Sequence, residues 1–395
     1  MTQPTFQRNR EVASEQLLNA LTAVMQKYVP LELAKTRITP SEAWQLLAYA
    51  AVNGLTLESA CQALPQAPSG NRLREVLMPA LPALPRLQSQ LNRLLRSQLH
   101  PSLWQKPRGL HVAIDLVLIP YHGQPQTEAD EVLRGPARSG TTHFHGYATA
   151  TIVHDKRRYT LALRFVRKGE RMDTVVRWLL DRIQRLKLRL RRVYLDAGFA
   201  SVPVFRTLRR RRLTYLLPLP LRGRSGGIRV LFTGRHSYQG YYTLTSHTFG
   251  TCRLQVVVVL RYYRGQKRKH GRRWLVYALN GLPRGTNLRH IFQWYRRRFG
   301  IESTYRLMNQ VRARTCSPSP VLRLLLVGLA LILVNLYVAL RQACTLRLAH
   351  PTAPHAATPD IAFWLDRLAD LLRQTIQTAL GGPATLFFRQ PVTFS

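Results

Sequence analysis

Hydrophobic residues recur every three or four positions through the first quarter of the chain, which is the spacing of amphipathic helices. The first such helix is predicted over Val12–Val29, and the next begins at Thr39-Pro40-Ser41-Glu42 and ends at Asn53-Gly54. A cap residue followed by proline, and glycine after the last turn, are the expected signals at helix ends. Two shorter helices follow, over 56–64 and 71–77, so residues 1–105 are predicted to be helical.

The pattern changes to short apolar runs between residues 110 and 200. The runs HVAIDLVLI, YATATIVHD, RRYTLALRFVR and VYLDAGF are typical of strands, and the helical pattern of 172–190 precedes the last of them. The second and third runs form a hairpin around a turn at 154–156. Strands and helices in this order predict an α/β fold.

Strand-forming residues and glycines dominate 222–285, where four strands are predicted at 229–234, 241–249, 251–264 and 272–280. From residue 287 the helical pattern returns and predicts one long helix over 287–314. A further amphipathic helix is predicted over 360–380.

An apolar segment, Leu324–Leu340, has 17 residues without a charge and contains Asn335. That length is at the lower edge of a membrane span. We predict instead a helix buried inside a domain, because such a helix is also hydrophobic on all sides. The polar opening residues do not resemble a signal peptide, and the four scattered cysteines form no CxxC pair. These features favour a cytoplasmic protein without a cysteine-based zinc site.

The net charge of the chain indicates which kind of molecule it binds. The chain has 59 Lys and Arg against 19 Asp and Glu, for a net charge of +40. A polyanion is the natural partner for such a surface, and nucleic acid is favoured over an anionic membrane. Two short helices joined by a turn, with Arg72 and Arg74 on the second, suit a helix-turn-helix that contacts DNA.

Three acids stand out by position. Asp115 lies within the first apolar strand, Asp196 ends a short strand, and Glu302 is the only acid between Ala197 and Pro359. Converging carboxylates can hold two divalent cations about 3.5–4 Å apart and support phosphoryl transfer. Mg²⁺ suits an all-oxygen site, and Mn²⁺ can substitute. The alternative is that the acids are structural ion-pair partners, with Glu302 bound to Arg298 one turn earlier.

Tyr295, Arg298 and Glu302 match the spacing Tyr-x2-Arg-x3-Glu-x6-Lys. Together with DAGFAS around Asp196, IDLVLIPYHG around Asp115 and WLVYALNGLP, this helix resembles the DDE transposases of bacterial insertion sequences. The resemblance extends over about 110–340. It departs from the family at position 309, where Asn309 stands in place of lysine, and at position 197, where alanine replaces the common arginine.

The resemblance implies an RNase H-like mixed-sheet core at 106–221 and 286–345, a β-rich insertion at 222–285 and a C-terminal helical region at 346–395. It implies that Asp115, Asp196 and Glu302 hold two Mg²⁺ ions. DNA contacts are expected from the N-terminal region and from seven further residues. These are Tyr295 and Arg298 beside the scissile phosphate, Asn309 and Arg306 on the backbone, and Trp274 with the Tyr262-Tyr263 pair as stacking residues.

The expected reaction is endonuclease cleavage at element ends followed by strand transfer into target DNA. The partners are then double-stranded terminal inverted repeats, the target duplex and a second copy of the chain in a synaptic homodimer, with no membrane. Two alternatives stay open. His143 and His145 resemble the metal-binding pair of HUH nucleases, which use a tyrosine nucleophile; a basic helix-turn-helix regulator would need none of the acids.

Overall fold

The computed structural model describes residues 13–33, 37–126, 128–153, 157–262, 272–343 and 364–381. The predicted turn at 154–156, Tyr263 and most of the segment that precedes the last helix lie outside these ranges.

Helices form both ends of the described chain. They are α1 (Ser14–Tyr28), α2 (Pro40–Asn53), α3 (Leu57–Gln62), α4 (Gly70–Ala80), α5 (Leu84–Ser97), α6 (Met172–Arg185), α7 (Val202–Arg210), α8 (His290–Arg296), α9 (Phe299–Gln310), α10 (Pro320–Ala343) and α11 (Leu365–Ala379).

The predicted signals at the ends of α2 are confirmed. The Thr39 side chain accepts a hydrogen bond from the Glu42 backbone N–H, the Glu42 carboxylate accepts one from the Thr39 backbone N–H, and Pro40 occupies the first turn. Gly54 ends the helix with φ of 60°, a left-handed conformation that glycine adopts without strain.

The last helix completes the N-terminal helical layer. Helix α11 packs against α1 and α2. Arg373 donates to the Asn53 side chain at 2.6 Å, and Gln377 donates to the Tyr49 hydroxyl at 3.1 Å. The two ends of the described chain therefore share one hydrophobic core, which continues into the sheet.

Nine strands of the described chain form one mixed sheet. They are β1 (Leu110–Pro120), β2 (Leu133–Arg138), β3 (Thr141–Ile152), β4 (Thr160–Val166), β5 (Leu190–Leu195), β6 (Tyr215–Pro218), β7 (Tyr238–Ser246), β8 (Gly250–Tyr262) and β9 (Arg272–Leu279). Their order is β2-β3-β1-β5-β6-β9-β8-β7, with β4 also paired to β3. The β1–β5 and β5–β6 pairs are parallel, and the other pairs are antiparallel. The predicted mixed α/β fold is confirmed, and its sheet is consistent with an RNase H-like core.

The strands predicted within 222–285 do not form a sheet of their own. Strand β9 pairs with β6, so β7, β8 and β9 extend the central sheet outward. The strand predicted at 229–234 is wrong: Gly227–Leu231 is a 3-10 helix. Ile228 is buried, but residues 229–234 are all at least partly exposed, so this segment has no buried apolar face to place against the sheet. Strand β2 was not predicted, because the exposed LRGPAR has no apolar alternation.

The single helix predicted over 287–314 is also wrong. The structure divides it into α8 and α9, with Arg297 and Arg298 between them. Across this junction the backbone N–H groups of Arg298, Gly300 and Ile301 bond to the carbonyl three residues earlier, as in a 3-10 turn. Hydrophobic spacing does not report such a change, because both helix types place apolar residues three positions apart.

Helix α10 contains the long apolar segment. A window within Pro320–Arg341 is apolar enough to cross a membrane, and 89% of it is buried inside the protein. The predicted buried helix is confirmed, since β4, α5, α9 and other helices surround it.

Candidate active site

The sheet places the first two acids side by side. Asp115 lies in the middle of β1, and Asp196 follows the last residue of β5. Strands β1 and β5 are parallel, with Ile114 opposite Leu195, so the next residue on each strand is an aspartate. The pairing of β1 with β5 thus makes neighbours of two aspartates that are 81 positions apart in the sequence.

Helix α9 brings the third acid to the same place. Glu302 lies in its first turn. The helix packs on β1 and β3, and a buried hydrogen bond of 2.8 Å joins the Tyr305 hydroxyl to Thr149 Oγ1. Thr149 stands directly opposite Asp115 in the β1–β3 pair. This contact holds the helix turn carrying Glu302 over the two aspartates. No motif or spacing in the sequence predicted a role for Thr149 or Tyr305.

The guanidinium of Arg298 lies among the three carboxylates. Its Nη1 donates to Asp115 Oδ2 at 2.8 Å, and its Nη2 donates to Glu302 Oε1 at 2.6 Å. The same Nη2 is 3.6 Å from Asp196 Oδ1. The ion pair between Arg298 and Glu302, which the sequence offered as the alternative role of Glu302, therefore exists. It is part of a cluster of four residues.

The cluster is buried at one end and open at the other. The side chains of Arg298 and Asp115 are 8% and 14% exposed, whereas those of Asp196 and Glu302 are 45% and 46% exposed. A ligand can therefore reach the cluster from the side of Asp196 and Glu302, with Asp115 at its base.

Burial shapes the electrostatics of Asp115. It raises the pKa of the carboxyl from 3.8 to about 6, against the opposing effects of Arg298 and of the Leu116 N–H. The negative charges of Asp196 and Glu302 raise this pKa further. Burial lowers the pKa of Arg298, but Tyr295 and the three acids outweigh that effect and the pKa is raised. The arginine is therefore charged, and Asp115 is ionised above about pH 6.

Tyr295 borders the cluster on α8. Its hydroxyl donates to Asp196 Oδ1 at 3.3 Å, and its ring lies 5.3 Å from the ring of Tyr277 on β9. Burial, the first of several causes, raises the pKa of this hydroxyl, so it stays protonated and remains a donor. The structure thus brings together Asp115, Asp196, Tyr295, Arg298 and Glu302 from four separate elements.

Arg306 and Asn309 follow Glu302 at intervals of four and three residues along α9, and all three are exposed. Side chains at such spacing share one face of a helix. Asn309 accepts a hydrogen bond from Arg312 Nε at 3.4 Å. These residues lie on the open side of the cluster and extend its exposed face along the helix.

Three other predicted DNA contacts lie elsewhere. Trp274 stacks on Phe232 with ring centroids 6.0 Å apart. It is three residues before Tyr277, so the two side chains point to opposite faces of the sheet. Arg72 and Arg74 are exposed on α4, where Arg72 pairs with Glu75 and Arg74 donates to Asn71.

The histidine pair of the alternative nuclease does not form an open metal site. His145 is fully buried among aromatic rings, 4.8 Å from Tyr121 and 6.1 Å from Phe165 between centroids. Burial, with a smaller effect from Arg323, lowers its pKa to about 4. His143 contacts Arg134. Within the described ranges, no three His, Cys, Asp or Glu side chains are arranged as a metal-ion site, and the carboxylates of Asp115, Asp196 and Glu302 converge on the guanidinium of Arg298 instead.

Comparison with known proteins identifies the family of this chain. A family model described as a transposase DDE domain matches residues 106–336. A search of curated proteins finds no match. Among solved structures, the fold is similar to a piggyBac transposase in a synaptic complex with hairpin DNA. That match has a TM-score of 0.58 at 12% identity and covers 96% of this chain and 84% of the other. The family model spans more than half of the chain, which therefore belongs to the DDE-domain transposases.

Proposed function

We propose that this transposase cuts DNA at the ends of an insertion sequence and joins the freed strands to target DNA in a metal-dependent reaction. One observation carries the proposal. Asp115, Asp196 and Glu302 lie on three elements, and all three carboxylates meet at a single cationic group. Carboxylates repel one another, so a cluster of three is costly unless a cation binds between them.

The donor set fits a divalent metal ion. The carboxylates supply only oxygen ligands, as Mg²⁺ and Mn²⁺ prefer, and the half-exposed Asp196 and Glu302 leave room for water ligands. The position of the Arg298 guanidinium, within 4 Å of all three acids, supports the proposal that their combined negative charge attracts a cation. We propose that the three acids hold two Mg²⁺ ions, with Mn²⁺ as a substitute.

When bound, such ions activate a water or 3′-hydroxyl and stabilise the leaving oxygen of a phosphodiester. The acids hold the ions in place, and Asp115 must be ionised to do so. Hydrolysis at the element end frees a 3′-hydroxyl, which then attacks a target phosphodiester. The second step replaces one phosphodiester by another, so it needs no ATP.

The other residues of the cluster are proposed to position DNA. Tyr295 and Arg298 are donors beside the acids, and a phosphate next to the scissile bond can accept from both. Arg306 and Asn309 lie on the exposed face of α9, where the strand backbone continues. This arrangement supports membership of the subgroup with the Tyr-x2-Arg-x3-Glu-x6-Lys signature, with Arg306 providing the charge that Asn309 lacks.

The remaining parts of the chain are proposed to bind and align DNA. The basic α4, with Arg72 and Arg74 exposed, is the proposed contact of the N-terminal region 1–105. The extension of the sheet within 222–285 is proposed to handle the DNA end, with Trp274 among its candidate stacking residues. Terminal repeats and target duplex are the proposed ligands, held by a homodimer.

The first experiment compares wild type with Glu302→Gln in Mg²⁺-dependent cleavage of duplexes carrying the element's own ends. The substitution keeps the size of the side chain and removes the charge that holds a cation. We expect cleavage to be lost while DNA binding persists. Glu128→Gln is the matched control, because Glu128 is also an exposed ion-pair partner of an arginine, Arg167, and neither residue belongs to the cluster.

Cleavage by Glu302→Gln at the wild-type rate would show that Glu302 is only an ion-pair partner of Arg298. A denaturing gel of the same reactions tests the HUH alternative, because a tyrosine nucleophile leaves a covalent protein–DNA adduct. The proposed mechanism leaves none.

A further inference from the structure

Arg298 uses the oxygen atoms that a metal ion would need. Its two Nη atoms contact Asp115 Oδ2, Glu302 Oε1 and Asp196 Oδ1. The second oxygen of Asp115, Oδ1, accepts the Leu116 backbone N–H at 2.9 Å. Both oxygens of the most buried acid are therefore engaged without a metal.

A guanidinium and a divalent cation cannot both occupy this position. The three acids lie within 4 Å of one guanidinium, so an ion bound by the same oxygens would also lie a few ångströms from its positive charge. Charges at that distance repel strongly where the surroundings are partly dry, and Arg298 is buried. Binding of the metal must displace the guanidinium.

The surroundings of Arg298 offer a way out of the cluster. Its guanidinium lies 5.5 Å from the ring of Tyr295 and 5.5 Å from the ring of Phe299, which is an exposed aromatic residue. Its Nε is buried and has no hydrogen-bond partner. The backbone here is the 3-10 junction between α8 and α9. Because Phe299 is exposed, a rotation of the Arg298 side chain past its ring would bring the guanidinium toward solvent.

We propose that Arg298 is a tethered cation that fills the carboxylate cluster while the protein is free of DNA and thereby suppresses metal binding. A phosphate of bound DNA then takes the guanidinium, since arginine binds phosphate through two parallel hydrogen bonds. DNA and metal therefore bind cooperatively, and an ion is held firmly only when a substrate is present. This inference rests on the proposed metal-dependent function.

Mn²⁺ binding in the absence of DNA tests the proposal. Free Mn²⁺ is followed by electron paramagnetic resonance as it is titrated into wild type, Arg298→Gln and Arg296→Gln. Removal of the internal cation is expected to tighten Mn²⁺ binding at least about tenfold, within the usual range of coupling between sites. Arg296 is exposed on the neighbouring turn, so its variant changes net charge equally and should bind as wild type does.

Two further variants locate the effect. Adding Glu302→Gln to Arg298→Gln should abolish the gained binding, which places the ion at the carboxylate cluster. Arg298→Lys retains the charge but has one ammonium that cannot bridge three carboxylates, so its Mn²⁺ affinity should lie between those of wild type and Arg298→Gln. Thermal unfolding tests whether each variant is folded. If Arg298→Gln does not fold, Arg298→Lys takes its place in the comparison with wild type.

The outcomes separate this inference from the function on which it rests. If folded Arg298→Gln, or the Lys variant in its place, binds Mn²⁺ no more tightly than wild type, while Glu302→Gln lowers the affinity of wild type, the tethered cation is overturned and the metal site stands. If no variant binds Mn²⁺ and cleavage needs no metal, both proposals fail.

Discussion

The carboxyl group of Asp115 combines burial with three charged neighbours, and the balance among them makes it sensitive to pH. Burial dominates, so its pKa is about 6 in the folded protein instead of 3.8. Between these two values the folded protein binds more protons than the unfolded chain. The free energy of unfolding therefore falls as pH rises through this window, and the loss is complete roughly one pH unit above the folded-state pKa.

Asp115→Asn removes this titration and imitates the protonated side chain. We expect the variant to gain stability over wild type as pH rises, by roughly 2 kcal/mol between about pH 4.5 and about pH 7.5. Urea unfolding of both proteins at the two pH values measures the gain. A stability difference that does not change with pH would mean that Asp115 titrates as an exposed carboxyl does.

Tyr305 and Thr149 form a second, neutral contact at the site. Tyr305→Phe removes one partner of a buried hydrogen bond and leaves Thr149 Oγ1 unpaired. We expect a loss of about 1–2 kcal/mol in unfolding free energy and slower cleavage, because the turn carrying Glu302 is less firmly placed. Adding Thr149→Val should restore part of the stability, and purely additive losses in this double-mutant cycle would contradict the contact.

At the scale of elements, the free edge of β4 explains a buried asparagine on each of two helices. Asn335 on α10 accepts from the Thr160 N–H at 2.8 Å and donates to the Thr160 carbonyl at 3.0 Å. Asn92 on α5 makes the same pair of bonds to Leu163. Side-chain amides thus replace the neighbouring strand that the edge of the sheet lacks.

Asn335→Leu fills the same space but leaves two buried backbone groups of Thr160 without partners. We expect a loss of roughly 2–4 kcal/mol in unfolding free energy, which thermal or urea unfolding measures. The same substitution at Asn19, which is exposed on α1, is the control and should change stability by less than about 0.5 kcal/mol. A mild effect at Asn335 would mean that β4 can find other partners.

Local sequence patterns predicted most helices and strands. The elements that they predicted wrongly share a cause, which is that they depend on contacts with distant parts of the chain. The ends of α2 were predictable because capping residues act within one turn of the helix. The junction between α8 and α9 was not, because Arg298 is drawn to acids on two distant strands. The segment 229–234 has strand-forming residues but no neighbouring strand, so propensity alone misled the prediction.

At the scale of the whole molecule, the net charge of +40 governs how the protein meets DNA. Each phosphate contact releases counterions, so affinity for duplex DNA should fall steeply with salt. We expect a loss of about 10³-fold or more between roughly 50 and 200 mM salt, measured by fluorescence anisotropy. An affinity that barely changes would exclude an extensive phosphate interface.

The same measurement tests the N-terminal helix α4. Replacing both Arg72 and Arg74 by Gln should weaken binding to all duplexes alike and lower the slope of log affinity against log salt by about 2, one for each lost phosphate contact. Arg367→Gln is the control, because Arg367 is exposed on α11 and has no proposed contact with DNA. Equal slopes for wild type and the double variant would exclude α4 from the interface.

The sequence by itself determined which functional groups are available to this protein. The chain is strongly basic, with isolated acids on two apolar strands and one acid on a helix beside Tyr295 and Arg298, and from this pattern we propose a metal-dependent reaction on DNA. These features are local, so the helix and strand periods of the sequence are enough to recognise them. Only the tertiary structure decided that the guanidinium of Arg298 lies among the three carboxylates and that β7, β8 and β9 extend the central sheet. Arg298 pairs with Asp115, 183 residues away, and Leu216 of β6 pairs with Leu279 of β9. No local period records which distant strand or charge will be the partner.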